Sequence, residues 1–211
     1  MIDLHTHSIF SDGVLIPSEL VRRALYLGIK AIGITDHGDA SNIDFIIPRI
    51  VAVAKDLNRV LNIKVIPGIE ITHVPPELIA ETVKKARLLG AKLVLVHGET
   101  IVEPVAQGTN LSAIEAGIDI LAHPGLITEK EVLKAKKNHV LLEISARKGH
   151  CLSNGHVAMT AMKYGARMVV NTDTHGPGDL IDINMAKKIV LGAGLTEKDF
   201  EDMQANASKL I

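Results

Sequence analysis

Short runs of β-branched and aliphatic residues alternate with longer amphipathic runs seven times along the chain. That alternation constrains the fold more than any other feature. Strand-like runs occupy residues 2–5, 31–35, 64–69, 92–96, 118–122, 140–144 and 167–170. Helical periodicity fills 17–27, 43–61, 76–89, 110–116, 129–137, 156–164 and 184–190, and a further helix is predicted over 198–210. A crossover from one strand through a helix to a parallel neighbour is right-handed, so units in series wind in one sense. The predicted architecture is α/β, a distorted seven-stranded (β/α)7 barrel of TIM-like form, with an open doubly wound sheet as the alternative. No linker or low-complexity stretch interrupts the series, and residues 1–211 are expected to form a single domain.

Helix ends are signalled locally. Pro17 suits a first helical turn, Thr196 an N-cap, and Gly28, Gly90, Gly117 and Gly165 each close a helix just before a strand. With no Trp, two Tyr and three Phe, the core has to be built from Ile, Leu, Val and Ala, which suits parallel strands covered on both faces. A formal net charge of −1 advertises no groove for a long nucleic acid, and no apolar run reaches membrane-spanning length. The single cysteine, Cys151, excludes an internal disulfide framework and, with no signal-peptide pattern, fits the expectation of a reducing cytoplasm. The oligomeric state is not legible.

Ionisable residues gather at one end of the predicted strands. His5 and His7 end the first, His37 the second, Glu70 the third, His97 the fourth and His123 the fifth. Glu143, Ser145 and Arg147 alternate at the end of the sixth, and Asp173 and His175 end the seventh. The opposite ends are plain turns such as "YLGIKAI" and "LLGAKLV". In a barrel the carboxyl ends meet on the face that carries the active site. Asp12, whose "SDG" turn can swing back toward His5 and His7, together with Glu70, Asp173 and the six strand-end histidines makes six imidazoles and three carboxylates. With no serine–histidine relay or glycine-rich phosphate loop, that set describes divalent metal ligation. Nine donors exceed what one ion uses, so two or three ions are expected, with Glu70 able to bridge two. Taken singly, any one of these histidines reads equally as a hydrogen-bonded core residue.

The segments "HTHSIFSDG", "TDH", "GIE", "LVLVHG", "AHPG" and "TDTH" occur in the order, and with the residue types, of the PHP (polymerase and histidinol phosphatase) family, which the chain resembles over nearly its whole length. The resemblance implies a distorted seven-stranded barrel with a trinuclear site of Zn, Mn or Fe. It places His5, His7, Glu70 and Asp173 on one metal, Glu70, His97 and His123 on the second, and Asp12, His37 and His175 on the third. It further implies hydrolysis of a small phosphomonoester, with histidinol phosphate the leading substrate. Basic residues at the mouth hold phosphate in that family, which puts Arg147 and Lys148 forward. His73 and His150 are candidates for proton transfer to the leaving oxygen, or for orienting a ligand.

Other readings remain open. A nucleotide or oligonucleotide-end phosphoesterase would use Phe10 and Phe45, both on the catalytic side, to stack a base. A metal amidohydrolase or deoxyribonuclease-type barrel would leave Asp12, His37 and His175 without a role. A non-catalytic subunit like that of ribonuclease P would not need nine intact donors. The non-periodic stretch "ETIVEPVAQGTN" is either a substrate-selecting lid or an ordinary loop.

Overall fold

The computed structural model describes residues 1–211. In chain order it contains β1 (Ile2–Asp3), α1 (Pro17–Tyr26), β2 (Ala31–Ile34), β3 (His37–Gly38), α2 (Ile43–Val60), β4 (Lys64–Ile71), α3 (Pro76–Leu88), β5 (Leu93–His97) and α4 (Thr109–Glu115). β6 (Ile120–Ala122), α5 (Glu129–Asn138), β7 (Leu141–Ser145), a 3-10 turn (His150–Ser153), α6 (Asn154–Tyr164), β8 (Met168–Asn171), α7 (Ile183–Gly192) and α8 (Glu197–Ser208) complete it. All strand pairs are parallel, in the order β1-β2-β4-β5-β6-β7-β8. β3 resumes β2 after a two-residue break in the same register, since Ile34 faces Pro67 and His37 faces Glu70. The wall is therefore a nearly closed barrel of seven parallel staves, as the alternation predicts.

The last seam, between β8 and β1, is sutured rather than laddered. One bridge joins Thr6 and Thr174, and His7 N–H donates to Thr174 O at 2.8 Å. Below it, side chains take over: Leu4 N–H donates to Asn171 Oδ1 at 2.9 Å, and Thr172 donates its N–H and hydroxyl to the Asp3 carboxylate at 3.1 and 2.6 Å. At the foot of the seam α8 supplies the missing partners. Ile2 N–H donates to Gln204 Oε1 at 2.7 Å, and Asn206 Nδ2 donates to Met168 O at 3.0 Å. Two short strands here could not satisfy one another's backbone, and a buried unpaired group is costly.

Local chemistry fixes the helices. Thr128 with Glu131 and Thr196 with Asp199 form capping boxes at α5 and α8, the second as expected from Thr196. Gly165 closes α6 with φ 73°, a left-handed value that costs glycine nothing. The core has two layers. A cluster of 45 buried residues lies between strands and helices, and one of ten fills the barrel's lower interior. β5 shows the division: Leu93 and Leu95 point inward, Val94 and Val96 outward. Continuing the inward rows upward, Ile66 leads to Glu70, Leu95 to His97 and Leu141 to Glu143, so the interior turns ionisable toward the carboxyl end.

Candidate active site

The first loop is organised by a residue outside the expected donor set. Asp36, fully buried, accepts from Ser8 N–H (2.7 Å), Ser8 Oγ (2.8 Å), Ser11 N–H (3.1 Å) and Ser11 Oγ (2.8 Å). This explains both serines of "HTHSIFSDG". The loop then turns at Gly13, where a Cβ would strike the backbone of His7 and Ser8. Asp12 is thereby returned to the mouth.

Glu70 lies at the centre. His5 Nε2 (3.4 Å) and His123 Nε2 (3.5 Å) face its Oε1, while His7 Nε2 (3.6 Å) and His37 Nδ1 (2.7 Å) face Oε2. Asp173 closes the group, 3.3 Å from His7 Nε2 and 3.7 Å from both His5 Nε2 and His123 Nε2. Toward solvent, Asp12 Oδ1 is 3.1 Å from His175 Nε2, 3.5 Å from His37 Nε2 and 4.0 Å from His7 Nδ1. On the other side, His150 stacks on His123 with ring centroids 4.0 Å apart, and His97 lies 4.4 Å from His123. All nine expected donors thus converge, and His7 joins the Asp12 group while His150 joins His97 and His123. These groups border a cavity of about 240 Å³ at the mouth, with no hydrophobic residue in its lining.

Burial opposes charge throughout the cluster, and neighbours decide the outcome. At His5 the carboxylates of Glu143, Glu70 and Asp173 outweigh burial and hold the imidazole well above its ordinary range. His7, buried beside His37 and His5, is driven well below it. Burial, reinforced by the charge of His123, pushes both His97 and His150 down to about 3. Burial raises Asp173 to about 6, whereas at Glu70 the charges of His5 and His37 prevail over burial and keep the carboxyl well below the usual range.

Other expected residues divide. Arg147 lines the cavity, its Nη1 donating to Asp173 O at 3.2 Å and lying 3.7 Å from Asp179 Oδ2. Lys148 is exposed and outside that lining. His73 lines it too, as does His150, whose Nδ1 is 2.8 Å from Thr100 Oγ1. Two carboxylates had been given no role. Glu143 Oε2 sits 2.8 Å from His5 Nδ1 and accepts from Asn171 Nδ2 at 2.9 Å, so it orients His5; its alternation with Ser145 was the available signal. Glu103, from the stretch after β5, faces His97 at 3.1 Å, and nothing periodic marked it. Three of the four non-glycine residues with positive φ are His73, His123 and Asp173, so backbone strain is concentrated here.

A barrel whose carboxyl mouth gathers nine histidines and carboxylates around one buried glutamate defines a class: TIM-like α/β barrels with a metal-type donor cluster. The model of the PHP domain matches residues 3–160, and the chain belongs to the PHP family. Asp173 and His175 fall beyond that span, so their place in the cluster rests on the distances above. An uncharacterized protein of Methanocaldococcus jannaschii is 50% identical over 202 residues, covering 95% of this chain and 93% of its own. A probable phosphatase of Thermoanaerobacter sp. is 28% identical, covering 93% and 88%. Among solved structures, a chain of an archaeal ribonuclease P with mature tRNA superposes with TM-score 0.75 at 17% identity, covering 98% of this chain and 89% of that one. The histidinol phosphate phosphatase of Lactococcus lactis, complexed with zinc, L-histidinol and phosphate, gives 0.61 at 17% identity, covering 92% and 94%. At such identities these two superpositions speak for the fold. No helix is long and apolar enough to cross a membrane.

Proposed function

We propose that the protein is a metal-dependent phosphoesterase that hydrolyses a small phosphomonoester at this mouth. One observation carries the reading. Nine buried side-chain atoms make no hydrogen bond of good geometry, and every one belongs to the cluster: His5 Nε2, both ring nitrogens of His7, both oxygens of Glu70, His97 Nδ1, His123 Nδ1, Glu143 Oε1 and Asp173 Oδ1. Each such orphan costs roughly 1–3 kcal/mol, and nine together would rival the whole stability of a domain, about 5–15 kcal/mol. Lone pairs on imidazole and carboxylate, turned toward one another at 3.3–3.7 Å, are what divalent cations satisfy. The residues therefore fit the group that the family implies.

In this reading His5, His7, Glu70 and Asp173 hold one ion, and Glu70, His97 and His123 a second, with His150 beside them. Asp12, His37 and His175 hold the third. Bound zinc, manganese or iron supplies Lewis acidity and an activated water. The chain does the rest. Glu143 fixes the ring of His5 through Nδ1, leaving Nε2 for the centre. Arg147 presents a forked donor to the phosphate oxygens and is itself braced by Asp173 O. His150, held by Thr100, and His73 stand where a proton can pass to the leaving oxygen. The wholly polar cavity suits a small phosphate better than a base, and the proposed setting is the cytoplasm.

A second reading, a phosphoesterase for nucleotides or oligonucleotide ends, is favoured by one feature. Phe10 and Phe45 pack edge to face at 6.0 Å beside the first loop, with the Arg49 guanidinium 3.7 Å over Phe45. The deciding experiment screens histidinol phosphate, sugar phosphates and nucleotides with Mn²⁺, Zn²⁺ and Fe²⁺ each supplied. Metal-dependent release of phosphate from a small monoester is expected. Preference for nucleotides selects the second reading, and no release from any substrate overturns both.

A further inference from the structure

The connection between β5 and α4 is closed on itself at its base. Glu99 N–H donates to Asn110 Oδ1 at 2.9 Å, and Glu99 Oε1 accepts from Gly108 N–H and Asn110 N–H, each at 3.0 Å. Between these ties runs a compact irregular loop of the omega type. Ile101 and Val102 on it are exposed, whereas Thr100 is buried against His150. The Glu103 side chain turns back over the mouth. Its Oε2 is 3.1 Å from His97 Nε2 and 3.4 Å from His73 Nε2, and its Oε1 is 3.4 Å from His150 Nε2.

One carboxylate thus meets three imidazoles from three separate segments of the chain, at the solvent side of His97. It differs in kind from Glu70 and Asp173, which are buried on strand ends and hemmed in by several partners. Glu103 is 38% exposed, sits on a loop and has only these imidazoles for company. A carboxylate and a phosphate are both hard oxygen anions, and both compete for the same open position on a divalent cation. Nothing else on the loop aims an anion at the mouth.

We propose that Glu103 is an exchangeable donor to the cation held by His97 and His123, and that the phosphate of the substrate displaces it. The inference rests on the metal-dependent reading above. Without substrate the loop completes the donor set on that side. With substrate, Glu103 leaves and the phosphate oxygen takes its place, so the loop acts as a carboxylate shutter over the cavity.

Linkage makes this quantitative. If Glu103 touches the metal only when phosphate is absent, its removal leaves the complex of protein, metal and phosphate unchanged. The product of the metal and phosphate association constants is then fixed, and a loss in one appears as an equal gain in the other. The test uses the full chain and Glu103→Gln, with Mn²⁺ alone in a chelator-buffered titration and inorganic phosphate titrated by calorimetry into the loaded protein. Glu103→Gln is expected to weaken the most loosely held ion by about tenfold, the lower end of what losing even an outer partner costs a metal site. It is expected to tighten phosphate by the same factor, with the two proteins holding metal equally well in saturating phosphate. Weaker metal without the reciprocal gain would make Glu103 a permanent ligand, and unchanged constants would give it no role; either result overturns the proposal. Failure of the parent protein to bind Mn²⁺ would bring down the metal-dependent reading itself.

Discussion

Glu70 is placed so that no other residue can substitute for it: fully buried, mid-barrel, with four imidazoles within 3.6 Å of its two oxygens. Glu70→Gln keeps the shape and removes the charge, and turnover is expected to fall roughly a hundredfold or more while thermal unfolding stays cooperative. Near-normal turnover would move the bridge elsewhere. His37→Ala separates three metals from two: kcat for a phosphomonoester should drop and metal content fall by about one ion, with the His5 and His7 ion retained. Protons report on the same centre. The three carboxylates hold His5 well above the ordinary histidine range, so a cation reaching Nε2 competes there with a proton. Metal loading at pH 7 is expected to release about one proton or more, read by calorimetry in buffers of differing ionisation enthalpy. The release should shrink as pH rises through the raised value. Most of these donors were legible because each ends a periodic run. Asp36 was not, although it stands within "TDH": its task is to hold Ser8 and Ser11, and a residue acting through others leaves no pattern of its own.

Among the elements, the periodic ones were read correctly and the irregular ones were not. The predicted first strand ran to residue 5, yet β1 ends at Asp3, because the chain must leave the ladder to turn both His5 and His7 inward. β4 runs on to Ile71 and carries Glu70 within it, and β2 pauses before β3 for the same reason of aiming side chains. The 3-10 turn at His150–Ser153 and the loop bearing Glu103 have no repeat at all, so only geometry reveals them. α8 was foreseen as a helix but not as the closure of the barrel. Gln204→Ala would strip β1 of its partner at Ile2 N–H, at an expected cost of about 1–2 kcal/mol. At this chain length that is a fall in Tm of roughly 2–8 °C by calorimetry, with metal content unchanged. An unaltered Tm would mean that water serves the strand edge equally well.

Across the whole molecule, apolar packing and ionic demand are stacked rather than mixed. Ten buried aliphatic residues fill the lower interior, and the unpaired polar atoms all lie above them. On the proposed reading the upper half is therefore the weaker half until cations neutralise it. Each ion present at about a thousand times its dissociation constant adds about 4 kcal/mol, or roughly 8–16 °C in Tm for a chain of this size. Chelation is expected to lower Tm by at least the amount for one ion and to leave the heat-capacity change of unfolding little altered, since the apolar floor remains. Equal Tm with and without chelator would mean that the cluster is stable uncharged.

The seam between β1 and β8 also sets an order of events during synthesis. His5 and the carboxylate that orients it, Glu143, are 138 residues apart, and Leu4 waits for Asn171 across 167. A nascent chain emerging from the ribosome carries its histidine pair long before Asp173 exists to complete their surroundings. A stalled or truncated chain therefore offers only scattered, weakly binding imidazoles. On the proposed reading, tight retention of ions would be a property of the finished circuit alone, and metal content would then report how many molecules in a preparation have closed.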